Sequence, residues 1–149
     1  MDSAERAERE IVGLHRFFEG WFNGRLPATD EAFFRFESAL GDGFEMVTPT
    51  GVVRDRAGVL AAVRGAHPGR AVGEGEPNLS ISIRNVRILR AWVGHVLVTY
   101  EEHQTRGGEA LPTRISTALL DAHDAGPNGL RWIHLHETWI GGERPVEKK

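Results

Sequence analysis

From Leu79 onward, apolar residues recur at every second position, and glycine-rich turns cut this run into four strand-like pieces. Leu79, Ile81 and Ile83 alternate with polar partners, and the pattern continues through Val86, Ile88 and Leu89. Val96 to Gln104 follows a turn at Gly94, and Thr113 to Leu120 follows Gly107-Gly108. Leu130 to Ile140 follows Ala125-Gly126-Pro127-Asn128-Gly129. A two-residue period with turn chemistry between the runs predicts a four-strand meander.

The first part of the chain obeys a different period. Ile11, Leu14, Phe18, Trp21 and Phe22 form one apolar stripe at helical spacing. Asp2 can cap this helix, with Glu5 three residues on, and Asn23-Gly24 is a helix stop. Asp30 is expected to cap a second helix carrying Phe33, Phe36 and Leu40, which ends at Gly41-Asp42-Gly43. Phe44 to Pro49 and Gly51 to Val53 read as a short hairpin. Asp55 caps a third helix with Val59, Leu60 and Val63, broken at His67-Pro68-Gly69. Residues 69–78 are rich in glycine, proline and charge and read as a loop.

A chain of 149 residues is expected to form one domain over 1–149, with a core from about 10 to 140 and a charged tail over 141–149. A domain near this size buries about 68–70% of its unfolded surface, so its core needs no staple. There are no cysteines, which excludes disulfides, thiol catalysis and cysteine zinc sites. The charged start, Asp2 to Glu10, lacks the apolar run of a signal peptide. No stretch approaches the roughly 18 apolar residues of a membrane span. We therefore expect a cytoplasmic protein with no membrane partner. Net charge is −3 and no basic stripe interleaves with aromatics, so nucleic acid is not an expected partner.

The closing run, Leu130-Arg131-Trp132-Ile133-His134-Leu135-His136-Glu137-Thr138-Trp139-Ile140, carries a large apolar residue followed by His-x-His. This run resembles the last strand of the nuclear transport factor 2-like superfamily. The SnoaL-like members and the calcium/calmodulin-dependent kinase association domain are the most similar. Phe22-Asn23-Gly24 and Gly51-Val52-Val53-Arg54-Asp55 match the same scaffold. The resemblance implies an α+β fold in which a curved, mixed β-sheet wraps as a cone around three N-terminal helices. It further implies a pocket on the concave side and a homodimer through the convex side.

By the same resemblance Glu137 faces the cone, along with Arg114 and Ser116 on the preceding strand and Thr99, Glu101 and His103 on the one before. A one-residue register slip would invert any of these faces. Glu101, His103, Arg114 and Glu137 are then the catalytic candidates, since crowded carboxylates and a histidine suit acid–base work. The alternative is an Arg114–Glu137 pair that only ties two strands. Phe18, Trp21, Thr99, Ser116, Leu135 and Trp139 are the candidate pocket residues, although aromatics at helical spacing also serve as core. Tyr100, the only tyrosine, is placed outward.

Trp132, His134, His136 and Thr138 are expected to form the dimer face. The two histidines share a strand face and suit metal chemically. Only two share it, whereas a catalytic zinc takes three protein ligands, so no metal site and no cofactor are expected. The leading functional reading is a domain that binds a small, partly apolar organic ligand, with acid–base catalysis of isomerase, cyclase or hydrolase type. The alternative is a non-enzymatic dimerisation module, and a metal-assisted enzyme using the histidines ranks behind it.

Overall fold

The computed structural model describes residues 2–69 and 78–140. The expected loop over 69–78, apart from its two ends, and the expected tail over 141–149 lie outside the described residues.

Helix α1, Ser3–Phe22, starts where Asp2 accepts a hydrogen bond from the Glu5 amide at 2.8 Å. It turns Ile11, Leu14, Phe17 and Trp21 into the core. Asn23 ends it, and its side-chain amide bonds both backbone groups of Leu79, which pins the helix end to the sheet. Gly24 follows with a φ of +73°, where a side chain is strained. Helix α2, Asp30–Glu37, is capped by Thr29, one residue before the expected Asp30. It is also shorter than its apolar spacing suggests. Leu40 reaches the core from strand β1, Leu40–Val47, and not from the helix.

Strand β2, Val53–Asp55, returns antiparallel to β1. Asp55 then caps helix α3, Arg56–Gly65, by accepting from the Gly58 amide. The meander follows as β3 Leu79–Trp92, β4 His95–Arg106, β6 Arg114–Ala122 and β7 Leu130–Trp139, with a short β5, Glu109–Ala110, beside β4. Sheet order is β2-β1-β7-β6-β4-β3. Only β1 and β7 run parallel, so the sheet is mixed, as expected.

The paired registers fix which residues look at the helices. Four inward rows cross β4, β6 and β7: Val96–Leu120–Trp132, Val98–Ala118–Leu135, Tyr100–Ser116–Glu137 and Glu102–Arg114–Trp139. The outward rows are Leu97–Leu119–His134, Thr99–Thr117–His136 and Glu101–Ile115–Thr138.

Three placements therefore correct the sequence reading. Thr99, Glu101 and His103 face away from the cone, and Tyr100 and Glu102 face into it. The apolar alternation of Val96 and Val98 continues into Tyr100 and Glu102, so β4 sits one residue out of the expected phase. Trp132 is 1% exposed in the core and does not join the outer histidines. A bulge causes this: Leu119 pairs with His134 but Leu120 pairs with Trp132, so Ile133 is an extra residue and the parity of β7 flips across it. Trp21 is core, with its Nε1 donating to the Val63 carbonyl at 2.8 Å.

Glu10 is the structural junction of the molecule. Its carboxylate is fully buried and accepts from Arg35 on α2, from Asn128 in the turn before β7, and from the indole of Trp132 at 2.9 Å. Four N–H donors on three elements satisfy it.

Candidate functional site

Between the helices and the concave sheet face lies a cavity of about 790 Å³. Its lining is largely hydrocarbon, with Phe18, Phe22, Phe36, Phe44, Met46 and Leu135 among its members. Polar groups enter the same lining: His15 from α1, Tyr100, Glu102, Gln104 and Arg106 from β4, Arg114 from β6 and Glu137 from β7.

His15 occupies the apolar stripe of α1, four residues after Ile11, and is buried. Its Nδ1 lies 2.7 Å from the Ile11 carbonyl, and its Nε2 lies 3.0 Å from Glu102 Oε1. Both ring nitrogens thus face acceptors. Only an imidazolium, with an N–H on each side, satisfies both at once. Burial alone would lower the His15 pKa, but the hydrogen bond and charge of Glu102 outweigh it and raise it. For Glu102, burial pushes upward, but the His15 contact, with Arg114 and Gln104 behind it, pulls the carboxyl down to about 2. The pair is ionised, and Glu102 spends its second oxygen on the Gln104 amide.

Glu137 behaves in the opposite way. Burial raises its pKa, and the Arg114 guanidinium offsets this only in part. Arg114 Nη1 donates to Glu137 Oε1 at 3.2 Å, and the guanidinium carbon lies 5.4 Å from the centre of the Trp139 ring. Two carboxylates in one cavity are therefore pushed apart, one locked as the anion and one raised towards the neutral acid.

Tyr100 is 1% exposed, and its ring lies edge-on to His15 at 5.4 Å. Its hydroxyl and the Oγ of Ser116, its cross-strand neighbour, are both buried and make no hydrogen bond of acceptable geometry. Burial, then the charges of Glu137 and Glu102, push the phenol well above its usual pKa, and Ser116 is near enough to oppose this slightly.

Of the catalytic candidates, Arg114 and Glu137 line the cavity and meet each other. Glu101 and His103 do not line it. They form their own outer pair at 2.9 Å, joined by Asn85, and His103 first and Asn85 second lower the Glu101 pKa. Of the pocket candidates, Phe18 and Leu135 line the cavity, Ser116 lies behind its wall, and Thr99, Trp21 and Trp139 are not in its lining. His134, His136 and Thr138 lie on the outer face of β7. Among the described residues, no three His, Cys, Asp or Glu side chains are grouped to hold a metal. No described helix is long and apolar enough to cross a membrane.

A conical mixed sheet closed over three helices, with charged groups at the base of the cone, defines the nuclear transport factor 2-like class. Solved structures of this class resemble it along most of their length. An NTF2-like protein of unknown function from Pseudomonas aeruginosa has 29% identity and a TM-score of 0.77, covering 91% of this chain and 99% of that one. The S. rosetta CaMKII hub has a TM-score of 0.68 at 10% identity, covering 94% of this chain and 98% of that one. ActVI-ORFA from Streptomyces coelicolor has 0.60 at 14%, covering 90% of this chain and 97% of that one. At these last identities the likeness is one of fold. Within the class, residues 7–141 match the family described as Sucrose-6-phosphate phosphohydrolase C-terminal, and the chain belongs to that family. It is similar to sucrose-phosphatase 1 of Nicotiana tabacum, with 25% identity over 134 residues and 89% of this chain covered. Sucrose-phosphatase 2 of the same plant is 24% identical over the same length. The chain spans 30% of the length of these relatives.

Proposed function

We propose that this domain binds a small, partly apolar organic molecule inside the cone, with Glu137 and Arg114 as the acid–base pair at its polar end. The observation that carries the reading is one cavity lined both by hydrocarbon and by a small set of charged and polar groups. Binding sites of this size bury an apolar body and orient it with a few polar groups. Glu137 is suited to proton transfer because burial raises its pKa towards the working range of a general acid or base. His15 and Glu102 support the site electrostatically, since their ion pair has no proton to spare.

The test is a thermal-shift panel of small organic compounds on the wild-type chain and on Leu135→Trp, which narrows the cavity. Ligand at a hundred times its Kd stabilises the native state by about 2.7 kcal/mol. Compounds with an apolar body should raise the wild-type melting temperature and raise that of the variant less. A panel without hits, together with a stabilised Leu135→Trp, would mean that the cavity is only a packing defect.

We further propose that the domain works as a homodimer through the convex sheet face. Leu97, Leu119 and Ile115 share that face with His134, His136 and Thr138.

A further inference from the structure

The polar groups of the cavity divide into those whose hydrogen bonds are complete and those whose bonds are not. His15 uses both nitrogens, on Ile11 and Glu102. Glu102 uses both oxygens, on His15 and Gln104. Arg114 gives one bond to Glu137 and lies over Trp139. Arg106 also lines the cavity and is already engaged. The His15–Glu102 pair is closed.

Two groups remain open. The Tyr100 and Ser116 hydroxyls are buried and lack partners of good geometry. Two hydroxyls side by side can satisfy one donor between them, so one O–H is left over. Ser116 lies behind the wall, whereas Tyr100 lines the cavity, so the spare donor lies just beneath the cavity surface, within reach of a group that presses on it. The second open group is Glu137, whose Oε1 takes Arg114 and whose other oxygen has no described partner. Tyr100, Ser116 and Glu137 share one inward row across three strands. A spare donor and a spare acceptor therefore stand on the same inward row, beside a lining that is largely hydrocarbon.

We propose that Tyr100 and Glu137 form a head-group subsite for a neutral hydroxyl on an otherwise apolar, flat molecule. The hydroxyl oxygen accepts from Tyr100, and its proton, or that of a neighbouring hydroxyl, is donated to Glu137. A buried donor left without a partner is costly, so a ligand that completes it gains over one that does not. A carboxylate head suits the subsite poorly. It would bring a third carboxyl group beside Glu102 and Glu137, with Arg114 already giving one bond to Glu137. The proposal rests on the cavity reading above and adds the chemical class of the head.

The experiment compares four compounds with nearly the same body. Naphthalene has no head, β-naphthol a hydroxyl, β-tetralone a carbonyl and β-naphthoate a carboxylate. NMR titration of the full chain should give β-naphthol a Kd at least about tenfold below that of naphthalene, since one such bond gives roughly that factor. β-Tetralone should fall between them and β-naphthoate should bind weakest. Tyr100→Phe should bring β-naphthol to the affinity of naphthalene without changing naphthalene itself. The wild-type ratios test the idea even if that variant does not fold. Equal binding of naphthalene and β-naphthol would overturn the subsite while leaving the cavity reading in place. Tightest binding by β-naphthoate would overturn it in favour of an acid site. No binding by any of the four would overturn both.

Discussion

His15 and Glu102 show how a single pair sets pH behaviour. The His15 pKa is raised in the folded protein, so its contribution is complete below the usual 6.5 and fades as pH rises through the raised value. The Glu102 pKa is lowered, so its contribution is complete above the usual 4.5 and fades as pH falls towards about 2. The pair therefore stabilises most between these limits. The melting-temperature gap between wild type and His15→Leu should be larger at pH 6 than at pH 9. A gap that does not change with pH would mean that the imidazole is neutral throughout. Mutation of the carboxylates should rank in the same way. Glu102→Ala leaves a buried imidazolium behind and should cost about 3–5 kcal/mol in urea unfolding at pH 6. Glu137→Ala should cost less, because the Arg114 side chain keeps 30% of its surface in water. Glu5→Ala, on the exposed start of α1, should cost least. Glu137→Gln should keep most of the stability and lose ligand binding or turnover. The Arg114–Glu137 meeting was legible from the resemblance, which put both residues on the inner face of neighbouring strands. His15 was not singled out, although it sits on the apolar stripe between Ile11 and Phe18, where a titratable side chain is out of place. Tyr100 and Glu102 escaped because alternation gives two faces and no rule for which is inner.

At the scale of elements, turns and caps were legible because they depend on local chemistry. Asp2, Asp55, Asn23-Gly24 and the glycine turns all act within a few residues of themselves. The bulge at Ile133 was not legible, since it exists only in the pairing of β7 with β6. It alone decides that Trp132 fills the core and His134 faces out. The turn before β7 holds that register. A Cβ at Gly126 would overlap the Leu130 carbonyl, whereas nothing lies within 4 Å of one at Gly65. Gly126→Ala should therefore lower stability by at least about 1–3 kcal/mol, as overpacking does. Gly65→Ala should change the thermal melt little, and equal melts for the two variants would mean that the turn rebuilds freely.

Across the whole molecule, the convex face offers a test of assembly. One outer row runs Arg90–Leu97–Leu119–His134–Glu45 across five strands, positive at one end and negative at the other. A two-fold axis lying along β6 between two facing sheets would set Arg90 of each copy against Glu45 of the other, with Leu119 at the centre. Symmetric dimers need this kind of self-complementarity. Light scattering at micromolar concentration should show a dimer. Arg90→Glu and Glu45→Arg should each weaken it, and the two together should restore it. A monomeric wild type would remove the homodimer, and a dimer indifferent to all three variants would place the contact elsewhere. The conical fold was legible from the order of elements and the last strand. The outer face of the last strand was only half legible, because Trp132 was counted on it.

The buried Glu10 carboxylate and the parallel pairing of β1 with β7 join the two ends of the chain. Glu10 is bonded to Asn128 and Trp132, and Leu40 pairs with Trp132. On the ribosome, α1 emerges well ahead of β7, with an acidic group that no local partner can fully satisfy. It must wait for more than a hundred residues of further synthesis before Asn128 and Trp132 arrive. Until then β1 lacks its inner neighbour, and the helices present an aromatic face to solvent. Folding dominated by such distant contacts is slow, in the millisecond-to-second range. The aromatic face of the helices thus stays uncovered while the residues between α1 and β7 are made, and completion of the last strand is the event that ends this exposure.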